Sequence, residues 1–371
     1  MATLERDLPA AGRRYRELAS IDDIADKVYN NVRITPEDGL RLLQHPNLVD
    51  LAELADLVRT RKHPDNIVTY IVGRNVNYTN VCWVRCSFCN FYRIPGHEDG
   101  YVLSREQIFA KIQEMVDVGG IECLMQGGLN PKLKIEWYED LFRAIMEKFP
   151  TVILHALSPA EIIYIKNMSR LSMEETLTRL KAAGLHSVPG GGAEILTDRV
   201  RTHISKYKDT VEQWLDCMRV AHKVGLKSSA TMMYGSVDTL EDRIEHLVKL
   251  RDLQDETGGF RAFIAWNYQP DNTELGGVRA SAFDYMRTIA VSRIFLDNFD
   301  NIQASWVTQG PRVGQLSLRY GVNDFGSTMM EENVVSQAGC VFTVPIEEIE
   351  RLITDAGYEP RRRNTRYELL N

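Results

Sequence analysis

The chain has 371 residues, of which 44% are hydrophobic and 26% charged, and its formal net charge at pH 7 is −7. This balance is typical of a globular protein and excludes a disordered or fibrous chain. The acidic excess offers no attraction to polyanions, so we expect neither a nucleic-acid partner nor binding to a membrane. There is no apolar run of bilayer length and no signal-peptide core at the N-terminus, which predicts a cytoplasmic protein.

The predicted elements begin with helices and continue as an alternation of strands and helices. Apolar side chains recur at helical spacing over residues 20–62, so residues 1–65 are predicted to form an N-terminal helical segment. Eight candidate strands then begin at Ile67, Ile121, Thr151, His186, Lys227, Phe260, Asn301 and near Val322, with stretches of helical period between them. This α/β pattern predicts one (β/α)8 TIM-type barrel over residues 66–340 and a short C-terminal helical extension over residues 341–371.

Three of the six cysteines lie within eight residues, directly after the first predicted strand, where a barrel places functional loops. Cys82, Cys86 and Cys89 have the spacing C-x3-C-x2-C. Three thiolates can hold three irons of a [4Fe-4S] cluster and leave the fourth iron open to a small molecule. The alternatives are a zinc site with His97 as fourth ligand, or inert packing. The remaining cysteines lie in apolar patterns and are predicted to be core residues: Cys123, Cys217 and Cys340.

The cysteine run resembles the motif of the radical S-adenosylmethionine (SAM) enzymes, whose barrel carries it after the first strand. Four stretches are similar to the branch of that family that serves the futalosine route to menaquinone and deazaflavin F0 synthesis: Thr79–Arg93, Met125–Pro131, Pro189–Glu194 and Asn323–Thr328. Within this branch, Cys-Trp-Val-Arg-Cys and Cys-Asn-Phe-Tyr-Arg point to the cyclase.

The resemblance implies a [4Fe-4S] cluster, SAM, and a one-electron donor such as flavodoxin or ferredoxin. It also implies a small-molecule reaction in which a 5′-deoxyadenosyl radical removes hydrogen from ribose C4′ of dehypoxanthine futalosine before ring closure onto the aromatic ring. Two alternatives stay open: a related radical synthase of the same branch, and a non-catalytic iron–sulfur or zinc protein.

The resemblance and the position after predicted strands together select the cofactor-binding candidates, which are Phe88, Gln126, Gly127, Gly128, Ser158, Glu161 and Glu194. The two glycines lack a Cβ, which permits close approach to the methionine end of SAM. Residues 158–161 also have the pattern of a helix capping box with proline in the first turn, and this structural interpretation is preferred for Glu161.

The remaining candidates concern the substrate. His155, Tyr234 and His97 are the candidate bases for the proton that ring closure releases. The substrate carries a carboxylate, and Arg93 is expected to bind it. Trp266 and Trp306 are expected either to flank the aromatic ring of the substrate or to fill the barrel.

Overall fold

The computed structural model describes residues 20–370, so residues 1–19 of the predicted N-terminal segment lie outside the described part of the chain. Three helices precede the barrel: Asp22–Tyr29, Pro36–Gln44 and Leu48–Lys62. The second begins with a capping box, in which Thr35 and Asp38 each accept the backbone N–H of the other, and with Pro36 in the first turn. The predicted helical lead-in is confirmed over these residues.

Ten parallel strands form one sheet within the described residues. They are β1 Ile67–Ile71, β2 Gly73–Val76, β3 Glu122–Met125, β4 Ile153–Ala156, β5 Ser187–Val188, β6 Lys227–Tyr234, β7 Phe260–Asn267, β8 Asn301–Gln303, β9 Asp324–Ser327 and β10 Glu359–Arg362. The order across the sheet is β10-β1-β9-β8-β7-β6-β5-β4-β3-β2.

The sheet curls so that strands from both of its sides pair with one continuous stretch of chain, Ile67–Val76. β1 and β2 are consecutive segments separated only by Val72. The carbonyl of Ile71 accepts from the N–H of Thr328 on one side, and the carbonyl of Val72 accepts from the N–H of Ile121 on the other. The stretch Ile67–Val76 and the strands β3 to β9 therefore make up the predicted eight-stranded α/β barrel.

The helices after β2 are Arg105–Asp117, Ile135–Lys148, Pro159–Ser169, Met173–Ala183, Asp198–Ile204, Val211–Lys223, Leu240–Thr257, Ala282–Phe295, Trp306–Gln309, Pro311–Ser317 and Ile346–Asp355, with 3-10 turns at Leu318–Tyr320 and Val335–Ala338. Within residues 20–370, no helix combines the length and the apolar character needed to span a membrane.

Two elements differ from the sequence prediction. The strand predicted from Asn301 ends at Gln303, and Trp306 instead begins a short helix. The predicted C-terminal extension contains its helix, Ile346–Asp355, and in addition β10, which pairs in parallel with β1. β10 escaped the sequence analysis because its residues, Glu-Pro-Arg-Arg, show no alternation of apolar and polar side chains.

The chain after β10 crosses the N-terminal end of the barrel. Arg363 forms two hydrogen bonds to Asp324 at the start of β9, of 2.5 and 2.8 Å. The hydroxyl of Thr365 donates to Glu122 at the start of β3, at 2.7 Å. The C-terminal segment therefore forms a floor at the end of the barrel opposite the predicted functional loops.

Candidate active site

The barrel encloses a cavity of about 380 Å³. Phe88 and Cys89 of the cysteine loop line it at the C-terminal end of the strands, and Glu122 and Arg363 line it at the floor. The predicted site residues that the structure brings to this cavity are Phe88, Cys89, Gln126, His155, Glu194, Trp266 and Trp306. Seven of the sixteen residues of the sequence-predicted site therefore converge on one space, with the cysteine loop at its mouth.

The cysteine loop places three free thiols in an apolar setting. Cys82 and Cys86 are buried and Cys89 is half-buried, with Val84 packed among them. The ends of the loop are joined by a hydrogen bond of 2.9 Å from the N–H of Cys82 to the carbonyl of Arg93. The loop is therefore a closed turn of backbone with its thiols shielded from water.

The electrostatics of these thiols fit a cationic cluster. Burial raises the pKa of the Cys86 thiol, and the neighbouring Cys89 and Cys82 add to the rise. Burial also raises the pKa of Cys89, although the backbone N–H groups of Tyr92 and Phe91 lower it by pointing at its sulfur. Cys86 and Cys89, whose ionisation burial opposes, become thiolates readily only beside a metal. The donor set fits the three irons of a [4Fe-4S] cluster.

The zinc alternative required His97 beside the cysteines. His97 instead lies on a surface loop, where its Nδ1 accepts the N–H of Asp99 at 3.1 Å. Among residues 20–370, no three His, Cys, Asp or Glu side chains converge as ligands of a single metal ion. A cubane cluster takes its thiolates at separate corners, so three cysteines on one loop are compatible with such a cluster. His97 does not line the cavity.

The glycines after β3 do not line the cavity but pack against the cysteine loop. A Cβ on Gly128 would overlap the carbonyl of Val81 and lie 2.9 Å from the Cβ of Cys82. A Cβ on Gly127 would lie 2.8 Å from the ring of Tyr78. The missing side chains therefore permit close contact between protein segments, and this differs from the predicted contact with SAM.

Glu161 is engaged entirely by protein groups. Its Oε1 accepts from the Tyr78 hydroxyl at 2.7 Å and from the Gly127 N–H at 2.9 Å, and its Oε2 accepts from the N–H and hydroxyl of Ser158. The predicted capping box is present. Neither Ser158 nor Glu161 lines the cavity. Glu161 therefore connects the first turn of the helix Pro159–Ser169 to Tyr78 and Gly127, which lie behind the cysteine loop.

A buried ionic cluster that the sequence analysis missed surrounds Glu194. The Glu194 carboxylate accepts from Lys208 Nζ at 2.7 Å and from Arg201 Nη1 at 3.3 Å, and Arg201 also pairs with Asp209 at 2.7 Å. Burial opposes the charge of Lys208, but Glu194, Cys86 and Asp209 together outweigh burial and raise the pKa of Lys208. Lys208 Nζ lies 5.8 Å from the ring centroid of Phe88. A fixed carboxylate with two cations therefore borders the cysteine loop.

His155 is the one base candidate that lines the cavity. Its Nδ1 lies 2.7 Å from the hydroxyl oxygen of Ser187 on the next strand. Burial lowers the pKa of His155, so the imidazole is neutral and able to accept a proton. Tyr234 lies outside the cavity wall, where the guanidinium of Arg243 covers its ring at 4.5 Å.

Arg93 is not at the cavity. Its Nη1 donates to the carbonyls of Asn90 and Tyr92 at 3.1 and 2.9 Å, and its Nε lies 3.8 Å from Asp99. The side chain thus closes its own loop, and the predicted contact with the substrate carboxylate is not supported by its position. Distance along the sequence from the cysteines did not indicate the direction in which this side chain points.

Two known protein families match this chain. The profile of the Radical SAM superfamily matches residues 76–250, which include the cysteine loop, and that of the CofH/MqnC C-terminal region matches residues 257–371. The chain belongs to the radical SAM superfamily. This superfamily implies a [4Fe-4S] cluster and SAM. The radical SAM profile thus spans the cysteine loop, β3 to β6 and the ionic cluster around Glu194.

Individual relatives are similar to this chain over nearly all of its length. The radical SAM chain is 49% identical to cyclic dehypoxanthine futalosine synthase of Halalkalibacterium halodurans, over 95% of each protein. It is 45% identical to the protein of the same name from Streptomyces coelicolor, over 95% of this chain and 90% of the relative. Aminodeoxyfutalosine synthase of Thermus thermophilus is 41% identical over 93% of this chain and 94% of the relative. The crystal structure of methylornithine synthase (PylB) has the same fold, with a TM-score of 0.73 at 18% identity over 92% of this chain and 98% of that chain.

Proposed function

We propose that this protein is a cytoplasmic radical SAM cyclase that converts dehypoxanthine futalosine to its cyclic form in menaquinone biosynthesis. The observation that carries the proposal is the 49% identity to a cyclase across 95% of both chains. The enclosed cavity beneath three free thiols supports it, because radical chemistry requires a site from which water is excluded.

In this proposal Cys82, Cys86 and Cys89 hold the cluster. When bound, the cluster and SAM supply a 5′-deoxyadenosyl radical, which removes hydrogen from ribose C4′ of the substrate. Phe88 packs beside the adenine, since it precedes Cys89 and lines the cavity. Gln126 and Glu194 provide the polar contacts to SAM at the mouth. We also propose a flavodoxin or ferredoxin as the one-electron donor.

The cavity wall completes the reaction. Ring closure onto the aromatic ring releases one proton and one electron. His155 accepts the proton while Ser187 orients its imidazole, and an oxidised one-electron carrier of the flavodoxin or ferredoxin class accepts the electron. Trp266 and Trp306 flank the aromatic ring.

The test uses dehypoxanthine futalosine deuterated at C4′, incubated anaerobically with reduced protein and SAM. We expect cyclic dehypoxanthine futalosine, methionine and deuterium in 5′-deoxyadenosine, as identified by mass spectrometry. Unlabelled 5′-deoxyadenosine during full turnover would contradict abstraction at C4′. A product that contains the adenosyl group would instead assign the protein to the aminodeoxyfutalosine synthase reaction.

A further inference from the structure

Arg261 reaches the cavity through an irregularity in the sheet. Ser228 of β6 pairs with Phe260, and the next residue, Ser229, pairs with Ala262, so Arg261 is the extra residue of a β-bulge. Both Arg261 and Ala262 line the cavity, although consecutive residues of a regular strand face opposite sides of a sheet. A bulge re-aims a side chain, and here it turns an arginine into the barrel.

The Arg261 guanidinium has donors that no protein carboxylate uses. Its Nη1 donates to the carbonyl of Thr365 at 2.9 Å, and no carboxylate of residues 20–370 forms an ion pair with it. Arg363, the other arginine of the cavity wall, is paired with Asp324. Burial lowers the pKa of Arg261, and this marks a guanidinium partly removed from water.

Several titratable groups face Arg261. Arg366 adds to the lowering of its pKa, whereas Glu122, Tyr367 and Glu368 oppose it, and neither carboxylate forms an ion pair with Arg261. The Glu122 carboxylate is itself held by the hydroxyl of Thr365. The floor thus keeps its arginine available for an anion from within the cavity.

Arg261 and the cysteine loop lie at opposite ends of the same cavity. Six residue steps along β7 separate Arg261 from Asn267, roughly 20 Å at about 3.3 Å per residue. A ligand bound between the loop and the floor can therefore place an anionic group at the floor, at the end of the cavity away from the loop. His155 lines the wall of the same cavity.

We propose that Arg261 binds the carboxylate of the substrate at the floor of the barrel. The inference rests on the proposed function, which supplies a substrate with a ribose at one end and a carboxylate on its aromatic ring at the other. Paired N–H donors of a guanidinium match the two oxygens of a carboxylate, and low dielectric surroundings strengthen the contact. Arg261 thereby replaces Arg93 in the role that the sequence analysis gave to the latter.

The experiment compares the parent holoenzyme with Arg261→Met and Arg261→Lys, using dehypoxanthine futalosine and its carboxamide analogue. Binding is followed by quenching of tryptophan fluorescence, since Trp266 and Trp306 line the cavity, and turnover is followed by mass spectrometry. Arg251→Met is the matched control, because Arg251 is a buried arginine that donates to backbone carbonyls outside the cavity.

We expect Arg261→Met to raise Kd and KM for the carboxylate substrate by about 10- to 100-fold, and to abolish its preference over the carboxamide. Arg261→Lys should restore part of the preference, because it keeps the charge without the paired donors. Arg251→Met should leave Kd and the preference unchanged.

The outcomes separate the two proposals. If the parent converts the substrate and Arg261→Met retains the parent preference for the carboxylate, the assignment of Arg261 is overturned and the cyclase function stands. If the parent does not convert dehypoxanthine futalosine, the proposed function fails, whatever Arg261 does. An unfolded Arg261→Met protein, recognised by circular dichroism, leaves Arg261→Lys to decide: an unchanged preference in that variant overturns the assignment.

Discussion

At the scale of single residues, His155 combines burial with access to the cavity. Its pKa is lowered from an ordinary value of 6.5, so the neutral base is fully present above pH 6.5. As the pH falls below that value toward the lowered pKa, protonation removes the base. We expect kcat for cyclisation to be level above pH 6.5 and to decline only below it. Measurement of kcat across the pH range, at saturating substrate, checks this.

Replacing His155 tests the same role directly. We expect His155→Gln to lower kcat by a factor on the order of 10²–10⁴, the usual contribution of a general base, and to leave SAM binding unchanged. His246→Gln is the control, since His246 is also buried but accepts the N–H of Leu196 outside the cavity. A kcat equal to that of the parent in His155→Gln would mean that another group accepts the proton.

The cysteines carry the second residue-scale prediction. We expect Cys82→Ala, Cys86→Ala or Cys89→Ala, reconstituted anaerobically, to lose the cluster and SAM cleavage, because each thiolate holds a different iron. Iron analysis and absorption near 400 nm measure the cluster, while mass spectrometry measures 5′-deoxyadenosine. Cys217→Ala, in a helix away from the cavity, should keep about four irons per chain. Parent-level SAM cleavage in a triad variant would contradict the assignment.

The sequence could predict the cysteines but not the arginine that we propose to bind the carboxylate, because the signal for the cysteines is local in the chain. The spacing of Cys82, Cys86 and Cys89 within one loop is itself the signal for a cluster. The orientation of Arg261 depends on a bulge between two strands, and its free charge depends on Asp324 pairing with Arg363 instead. A local sequence pattern shows neither the register of two strands nor a pairing between distant residues. The sequence therefore indicates Arg93, which lies near the cysteines in the chain.

At the scale of elements, the capping box of the helix Pro159–Ser169 reaches beyond its own helix. Glu161 accepts from Tyr78 and Gly127 as well as from Ser158. We expect Glu161→Gln to lower the free energy of unfolding by about 1–3 kcal/mol, because an amide NH₂ would face donors that are buried. SAM cleavage should fall with it, since the loop behind the cysteines loses its anchor. Urea unfolding and 5′-deoxyadenosine release measure the two effects.

The chain offers a matched control in the next helix. Glu175 closes a capping box with Ser172 in the same way, but it is exposed and bonds only within its own cap. Glu175→Gln should therefore leave stability and SAM cleavage close to those of the parent. Equal effects of the two substitutions would show that Glu161 acts only as a helix cap.

The helix Pro159–Ser169 has no periodic pattern from which the sequence could predict it. Its turns carry Ile162, Ile163 and Ile165, all buried, so it lacks the polar face that gives a helical period. Amphipathic helices such as Val211–Lys223 show a helical period of apolar residues in the sequence, because one face of the helix meets water. A helix that is buried on several sides therefore has no periodic pattern of apolar and polar residues. Only the capping pattern at Ser158 indicates where this helix starts.

At the scale of the whole molecule, the floor joins the end of the chain to the barrel. Arg363 and Asp324 are both buried, and Asp324 also accepts from the hydroxyl of Thr69. We expect Arg363→Met to lower the free energy of unfolding by about 3–5 kcal/mol, because it leaves a buried carboxylate without its counter-charge. Urea unfolding followed by circular dichroism measures the change.

Arg351→Met is the comparison for that substitution. Arg351 pairs with Glu348 and Asp355 on an exposed helix face, where solvent screens the charges. It should unfold at nearly the same urea concentration as the parent. A similar small change in Arg363→Met would mean that the C-terminal segment contributes little to the stability of the barrel.

The pairing of β10 with β1 has a consequence for biosynthesis. Ile67 lies beside Glu359, so the strand that starts the barrel waits for a partner that is translated far later in the chain. The ribosome extends the chain from its N-terminus, and therefore a nascent barrel is open to water at the end that Arg363 and Thr365 later close. Contacts so distant in sequence also slow folding. The cavity is thus complete only after residues 359–365 have been synthesised.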